Sequence, residues 1–101
     1  MTDDLSGNEL EFEWDAAKAA ANLGKHGVSF QTAVAALAYE VVWNIDDRED
    51  YGEERFVALG RVEFGVYRVV YTWRGDATVR IISARKASRY ERERYYRETH
   101  S

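Results

Sequence analysis

Residues 78–91 read TVRIISARKASRYE, an apolar strand run followed at once by a helix start. Four of the first five residues are β-branched, and side chains on a strand alternate between its two faces. Strict alternation puts Val79, Ile81, Ser83 and Arg85 on one face and Arg80, Ile82, Ala84 and Lys86 on the other. The adjacent Ile81 and Ile82 anchor both faces, which marks an interior strand. Ser88-Arg89-Tyr90-Glu91 has capping-box spacing, so RYERERYYR (residues 89–97) is expected to be helical.

The chain immediately before this stretch reads as more strands. Gly75-Asp76 turns the chain out of VYRVVYTW (66–73), and Gly65 separates that run from ERFVALGRVEF (54–64). EVVWNI (40–45) is a further short strand, joined by the acidic loop DDREDYGEE (46–54). Towards the N-terminus, Leu10, Phe12 and Trp14 alternate with Glu11 and Glu13, a short strand pattern. Asp15 suits an N-cap for AAKAAANLGK, and Gly27 suits its left-handed stop. Ser29 caps a second helix, FQTAVAALAY (30–39), with Phe30, Val34 and Leu37 on one side. The order β-α-α-β-β-β-β-α predicts an α+β domain: an antiparallel meander with its helices packed on one sheet face. The expected organisation is a flexible acidic leader over 1–9, one domain over 10–97 and a tail over 98–101.

The 101 residues suffice for one domain, and 46% apolar residues suffice for its core. Cysteine is absent, which excludes disulfides and thiolate metal sites. No apolar run is long enough to span a bilayer, and the acidic start lacks the apolar stretch of a signal peptide. The net charge of −4 hides an asymmetry. Residues 1–15 hold six acids and no base, whereas residues 80–97 hold seven bases against Glu91 and Glu93. Eleven arginines stand against three lysines, and arginine suits planar, bidentate contact with phosphate or carboxylate. An acidic chain of this kind can still bind a polyanion through one patch.

Three constellations can carry chemistry. Lys25 and His26 end the first helix, where a cation is favoured and can hold a phosphate or give up a proton; the plainer role is to cap the last carbonyls. Glu53, Glu54 and Arg55 open a strand on which Arg55, Val57, Leu59 and Arg61 face one way. An acid beside such arginines can act as a general base next to phosphate clamps, or simply keep a sheet edge from aggregating. Ser83-Ala84-Arg85-Lys86 leave the last strand, on which Arg80 lies earlier, and Arg89, Arg92 and Arg94 stud the helix behind it, where Glu–Arg pairs along a solvated face are the alternative. The acids at 46–54 do not make a calcium loop, because Arg48 takes a ligand position and the closing Glu is missing. Zinc spacing, a P-loop, a dinucleotide fingerprint and an elbow serine are all absent.

Phe12-Glu13-Trp14-Asp15 with Lys18, Asn22 and Leu23, followed by Lys25-His26-Gly27-Val28-Ser29-Phe30, resembles the opening of the BrnT toxin family. Glu53-Glu54-Arg55-Phe56 with Gly60, then Arg80-Ile81-Ile82-Ser83-Ala84-Arg85-Lys86-Ala87 and Glu91, resemble its later blocks, in order, over about residues 11–96. The resemblance implies a RelE-like fold and the toxin of a type II toxin–antitoxin pair that cleaves RNA and slows translation. It also implies a ribbon-helix-helix antitoxin of the BrnA kind, through which the complex reaches operator DNA, and a cytoplasmic setting. Neither a cofactor nor a metal is expected. Cleavage of this type needs a base, cations for the charged transition state and an acid for the leaving oxygen. The expected catalytic set is Arg85 and Arg55 as phosphate clamps, with His26 and Glu54 as base or acid. Lys25, Arg61, Arg80, Lys86 and Arg89 are expected to bind RNA phosphate. The competing expectation is a non-enzymatic module whose arginines meet acidic residues of a partner. A stand-alone DNA-binding role lacks a helix-turn-helix pattern.

Overall fold

A computed structural model describes residues 10–38, 40–46 and 53–100, with the side chains of residues 44–46 excepted. The expected leader and most of the expected acidic loop, residues 47–52, therefore lie outside the described residues. The elements are β1 (Glu11–Glu13), α1 (Ala16–His26), α2 (Phe30–Ala36), β2 (Val41–Asp46), β3 (Arg55–Val62), β4 (Gly65–Trp73), β5 (Thr78–Lys86) and α3 (Arg89–Thr99).

Local chemistry sets the helix ends. Asp15 accepts from the amides of Ala17 and Lys18 at 2.8 and 3.0 Å, and these bonds hold its carboxyl below the usual range. Gly27 closes α1 at φ 70°, where a side chain would be strained. Ser29 caps α2 by accepting from the Thr32 amide. The capping box at Ser88 is complete in both directions. α2 is shorter than expected and ends at Ala36. Leu37 and Ala38 turn out through tighter bonds to the carbonyls of Val34 and Ala35.

The sheet has five strands in the order β1-β5-β4-β3-β2. β2 to β5 form the expected antiparallel meander, but β1 lies parallel to β5, with Phe12 opposite Val79. The sheet is mixed, which corrects the antiparallel expectation. The reason lies in the connection: α1, α2 and three strands intervene between β1 and β5, which frees the short β1 to enter the far edge in either direction.

The expectation of helices on one face also fails. α1 and α2 cover one face, where Phe30, Ala33 and Leu37 meet Ala58, Val69, Val79, Ile81 and Ala84. α3 lies on the other face, where Tyr95 packs with Leu59 and Val66. Ala58 and Leu59 are adjacent on β3 and both buried, so the middle of the sheet is apolar on both sides. Only Ala87 and Ser88 separate β5 from α3, which leaves the helix on the side that Arg85 faces. The side chains of Phe30, Leu37, Ile81, Val69 and Val79 are fully buried, each contributing roughly 1.5–3 kcal/mol by leaving water.

Asn22 is the one buried polar side chain of α1. Its amide donates to the carbonyls of Val28 (2.9 Å) and Ala84 (2.8 Å) and accepts from the Ala84 amide (3.1 Å). It therefore bonds the edge of β5 just beyond the end of β1, as a neighbouring strand would. Among the described residues, no helix is long and apolar enough to cross a membrane.

Candidate functional site

The register of β5 against β4 decides where its arginines point. Val70 pairs Ser83 and Tyr71 pairs Ile81, so Ile82 is an extra residue on β5. Such a bulge resets the alternation. Ala84 joins Val79 and Ile81 under α1 and α2, at 1% exposure or less. Arg85 joins Arg80 on the opposite face, whereas strict alternation had separated them. The missed bulge is the cause of that error.

Arg80 and Arg85 have company on this face. Arg68 on β4 lies directly opposite Arg85, at the roughly 4.5–5.5 Å backbone spacing of paired strands. Arg55 opens β3 on the same face, two residues before Val57 and four before Leu59. Arg68 and Thr72, the β4 partners of Arg85 and Arg80, are four residues apart, so the two rows lie roughly 13 Å apart. α3 packs chiefly over β2 and β3, and its Glu91 reaches the Arg68–Arg85 row.

Carboxylates hold these arginines. Glu91 takes Arg85 with both oxygens, at 2.9 and 3.0 Å, and approaches Arg68 at 3.6 Å. Glu13 takes Arg80 at 2.9 Å and Arg74 at 3.8 Å, and Glu53 stands 3.5 Å from Arg55. Partial burial pushes the Glu91 carboxyl up. The Arg85 guanidinium, the Ser88 amide and the Arg85 charge outweigh that burial, and the group lies below its usual range. Exposed pairs contribute roughly 0–1 kcal/mol, so these pairs organise the face more than they stabilise the fold. A cleft of about 200 Å³ opens beside Arg68, Glu91 and Arg94, with Val42, Val57 and Leu59 as its apolar wall.

The other expected residues lie apart. Lys25 and His26 are exposed on the last turn of α1, and neither makes a hydrogen bond or ion pair with the arginine face among the described residues. Glu54 is exposed just before β3, and its carbonyl accepts from Thr72 at 2.7 Å. Arg61 sits at the far end of β3, donating to the Glu63 carbonyl and lining a cleft of about 560 Å³ with Glu40 and Tyr95. Lys86 is exposed at the end of β5, and Arg89 pairs with Glu93 on the outer side of α3. No group of three or more His, Asp or Glu among the described residues is placed to hold a metal ion.

The profile of one protein family, described as the ribonuclease toxin, BrnT, of a type II toxin–antitoxin system, matches residues 14–91. The chain belongs to the BrnT toxin family. No curated protein matches it. Among solved structures it is similar to the 1.1 Å crystal structure of the Brucella abortus ribonuclease toxin BrnT. The TM-score is 0.59 and the identity 23%, over 79% of this chain and 99% of that one, a likeness of fold. BrnT membership makes the chain a ribonuclease by family, with an RNA target and an antitoxin partner. The BrnT match begins at Trp14, just inside the Glu13–Arg80 pair, and ends on Glu91, the partner of Arg85.

Two members of the face escaped the sequence reading. Arg68 was legible from alternation, because Tyr67, Tyr71 and Trp73 share a strand in which Arg68 falls between them. Glu91 stood in the sequence as a cap and as part of the family resemblance, but its grip on Arg85 and Arg68 depends on where α3 returns to the sheet.

Proposed function

We propose that the arginine-bearing sheet face is the RNA-cleaving site. One observation carries this reading: Arg55, Arg68, Arg80 and Arg85, from three strands, stand on one sheet face in two neighbouring rows. A 2′-hydroxyl attacks its own phosphorus, the new P–O bond forms as the P–O5′ bond breaks, and negative charge gathers on the phosphoryl oxygens. Arginines fixed around that position stabilise the charge, and no metal is required. Arg85 and Arg55 clamp successive phosphates, Arg85 in the row of Arg68 and Arg55 in the row of Arg80. Glu54 and His26 are the candidates to take the 2′ proton and to supply one to the departing O5′, which requires RNA to bridge from the face to α1. Lys25, Arg61, Lys86 and Arg89 guide the remaining strand.

The biological reading follows the family: cleavage of RNA in the cytoplasm slows translation, on a RelE-like fold. A ribbon-helix-helix antitoxin neutralises the toxin and carries the complex to operator DNA. Expression of the chain alone is expected to arrest growth, and the purified chain to cut RNA with chelator present. Arg85→Ala is expected to lower cleavage at least 100-fold and to relieve the arrest. Intact RNA at high wild-type concentration would sink the reading. It would favour the second one, a non-enzymatic partner-binding module, which draws support from the carboxylates already seated on Arg80 and Arg85.

A further inference from the structure

We propose that Glu91 is a positioning residue that holds Arg85 and Arg68 together as a two-guanidinium clamp. The proposal rests on the reading of this face as the RNA-cleaving site.

The geometry starts from two like charges. Arg68 and Arg85 are directly opposed on β4 and β5, so their guanidinia repel, and an anion between them offsets that repulsion. Glu91 supplies that anion. Its two oxygens meet Nη1 and Nη2 of Arg85, and Oε2 also lies 3.6 Å from Nε of Arg68. The bidentate bond fixes the plane of the Arg85 guanidinium as well as its place.

Glu91 is itself anchored. Oε1 accepts from the Ser88 amide at 2.8 Å, and the Glu91 amide donates to the Ser88 hydroxyl at 3.1 Å. The carboxylate is thus tied to the first turn of α3 rather than hanging from a mobile side chain. Its surroundings differ from those of Glu93 and Glu98, which pair with Arg89 and Arg94 along the helix. Glu91 alone of the three reaches across to the sheet, and only 22% of its side chain is exposed. Its second neighbour on the helix, Arg94, lines the same cleft.

One carboxylate therefore does two separable jobs. As an acceptor for the Ser88 amide it caps a helix, which a neutral glutamine does equally well. As an anion with two equivalent oxygens it holds two guanidinia, which glutamine cannot do. Misplacing a clamping group by about 1 Å can cost roughly 100-fold in rate, so the second job is visible in turnover.

The test uses the full chain on a single-stranded RNA, with kcat and KM measured well below the melting temperature. Glu91→Gln keeps the cap and is expected to leave Tm within about 3 °C while lowering kcat roughly 10- to 100-fold. Ser88→Ala removes the cap and is expected to lower Tm by about 4–8 °C while leaving kcat within twofold. In an Arg85→Ala background, Glu91→Gln is expected to cost no more than about twofold further, since it acts through the group already lost. Full turnover in Glu91→Gln overturns the proposal, and so does a kcat loss in Ser88→Ala that matches that of Glu91→Gln. An equal loss from Glu91→Gln with and without Arg85 also overturns it. Wild-type chain that leaves RNA uncut overturns the cleavage reading itself, and the clamp's role with it.

Discussion

On the face under α1 and α2, Val69, Val79, Ile81 and Ala84 are at most 1% exposed. On the reverse of the same two strands, the side chains of Arg68, Arg80 and Arg85 keep between 14% and 37% of their surface in water. Both faces use the same backbone hydrogen bonds, so the contrast lies wholly in the side chains. The apolar face fixes the register, because a one-residue slip would carry its whole buried set into water. With register fixed from one side, the other side can carry four arginines that do little for stability. The bulge at Ile82 is what lets a single strand serve both ends of that arrangement.

Substitutions that separate the two faces put this contrast at risk. The largest effect is expected from Ile81→Ala, a cavity in the covered face. It should cost about 2–5 kcal/mol by chemical denaturation, a large part of the roughly 5–15 kcal/mol a domain of this size has. A loss below about 1 kcal/mol would show that the covered face does not set the register. Arg80→Ala is next. It should lower RNA cleavage about tenfold while shifting stability by less than about 1 kcal/mol, and a larger stability change would blur the division between faces.

The pH response of Glu91 gives a smaller signal. Its folded pKa is depressed below the ordinary 4.5, so its contribution to stability is present above that value and fades as pH falls through the folded pKa. Melting curves of wild type and Glu91→Gln should therefore differ most above about pH 5 and converge in stronger acid. Curves that stay parallel throughout would mean the Arg85–Glu91 charge pair adds nothing to stability. The smallest effect is expected from Arg89→Ala, whose side chain is 85% exposed and, among the described residues, pairs with Glu93 of the same helix. Its stability should stay within about 0.5 kcal/mol of wild type.

Much of this fold was legible because local signals agree. Asp15, Gly27, Ser29 and Ser88 each mark a helix end with their own chemistry, and Gly75 turns the chain at φ 81° between β4 and β5. Non-local choices were not legible. The parallel pairing of β1 depends on which edge of the finished sheet is vacant, and no residue in Glu11–Glu13 encodes that. The bulge also left no local mark, since Ile82 is as good a strand residue as Ile81. Its consequence reached the site, where Arg80 and Arg85 share a face at a spacing of five that a period of two forbids. The individual arginines could be named from sequence. Their grouping, and the carboxylates that hold them, required the register.

The parallel pair at the sheet edge also sets a schedule. Glu11 and its partner Thr78 are 67 positions apart. At about 5–20 residues per second, a ribosome makes β5 roughly 3–13 seconds after β1. Through that interval β1 has no strand to join, and Glu13 has no Arg80 to hold. The arginine face is thus among the last surfaces to form during synthesis, and a nascent chain stopped before β5 carries none of its Arg80 or Arg85 charge.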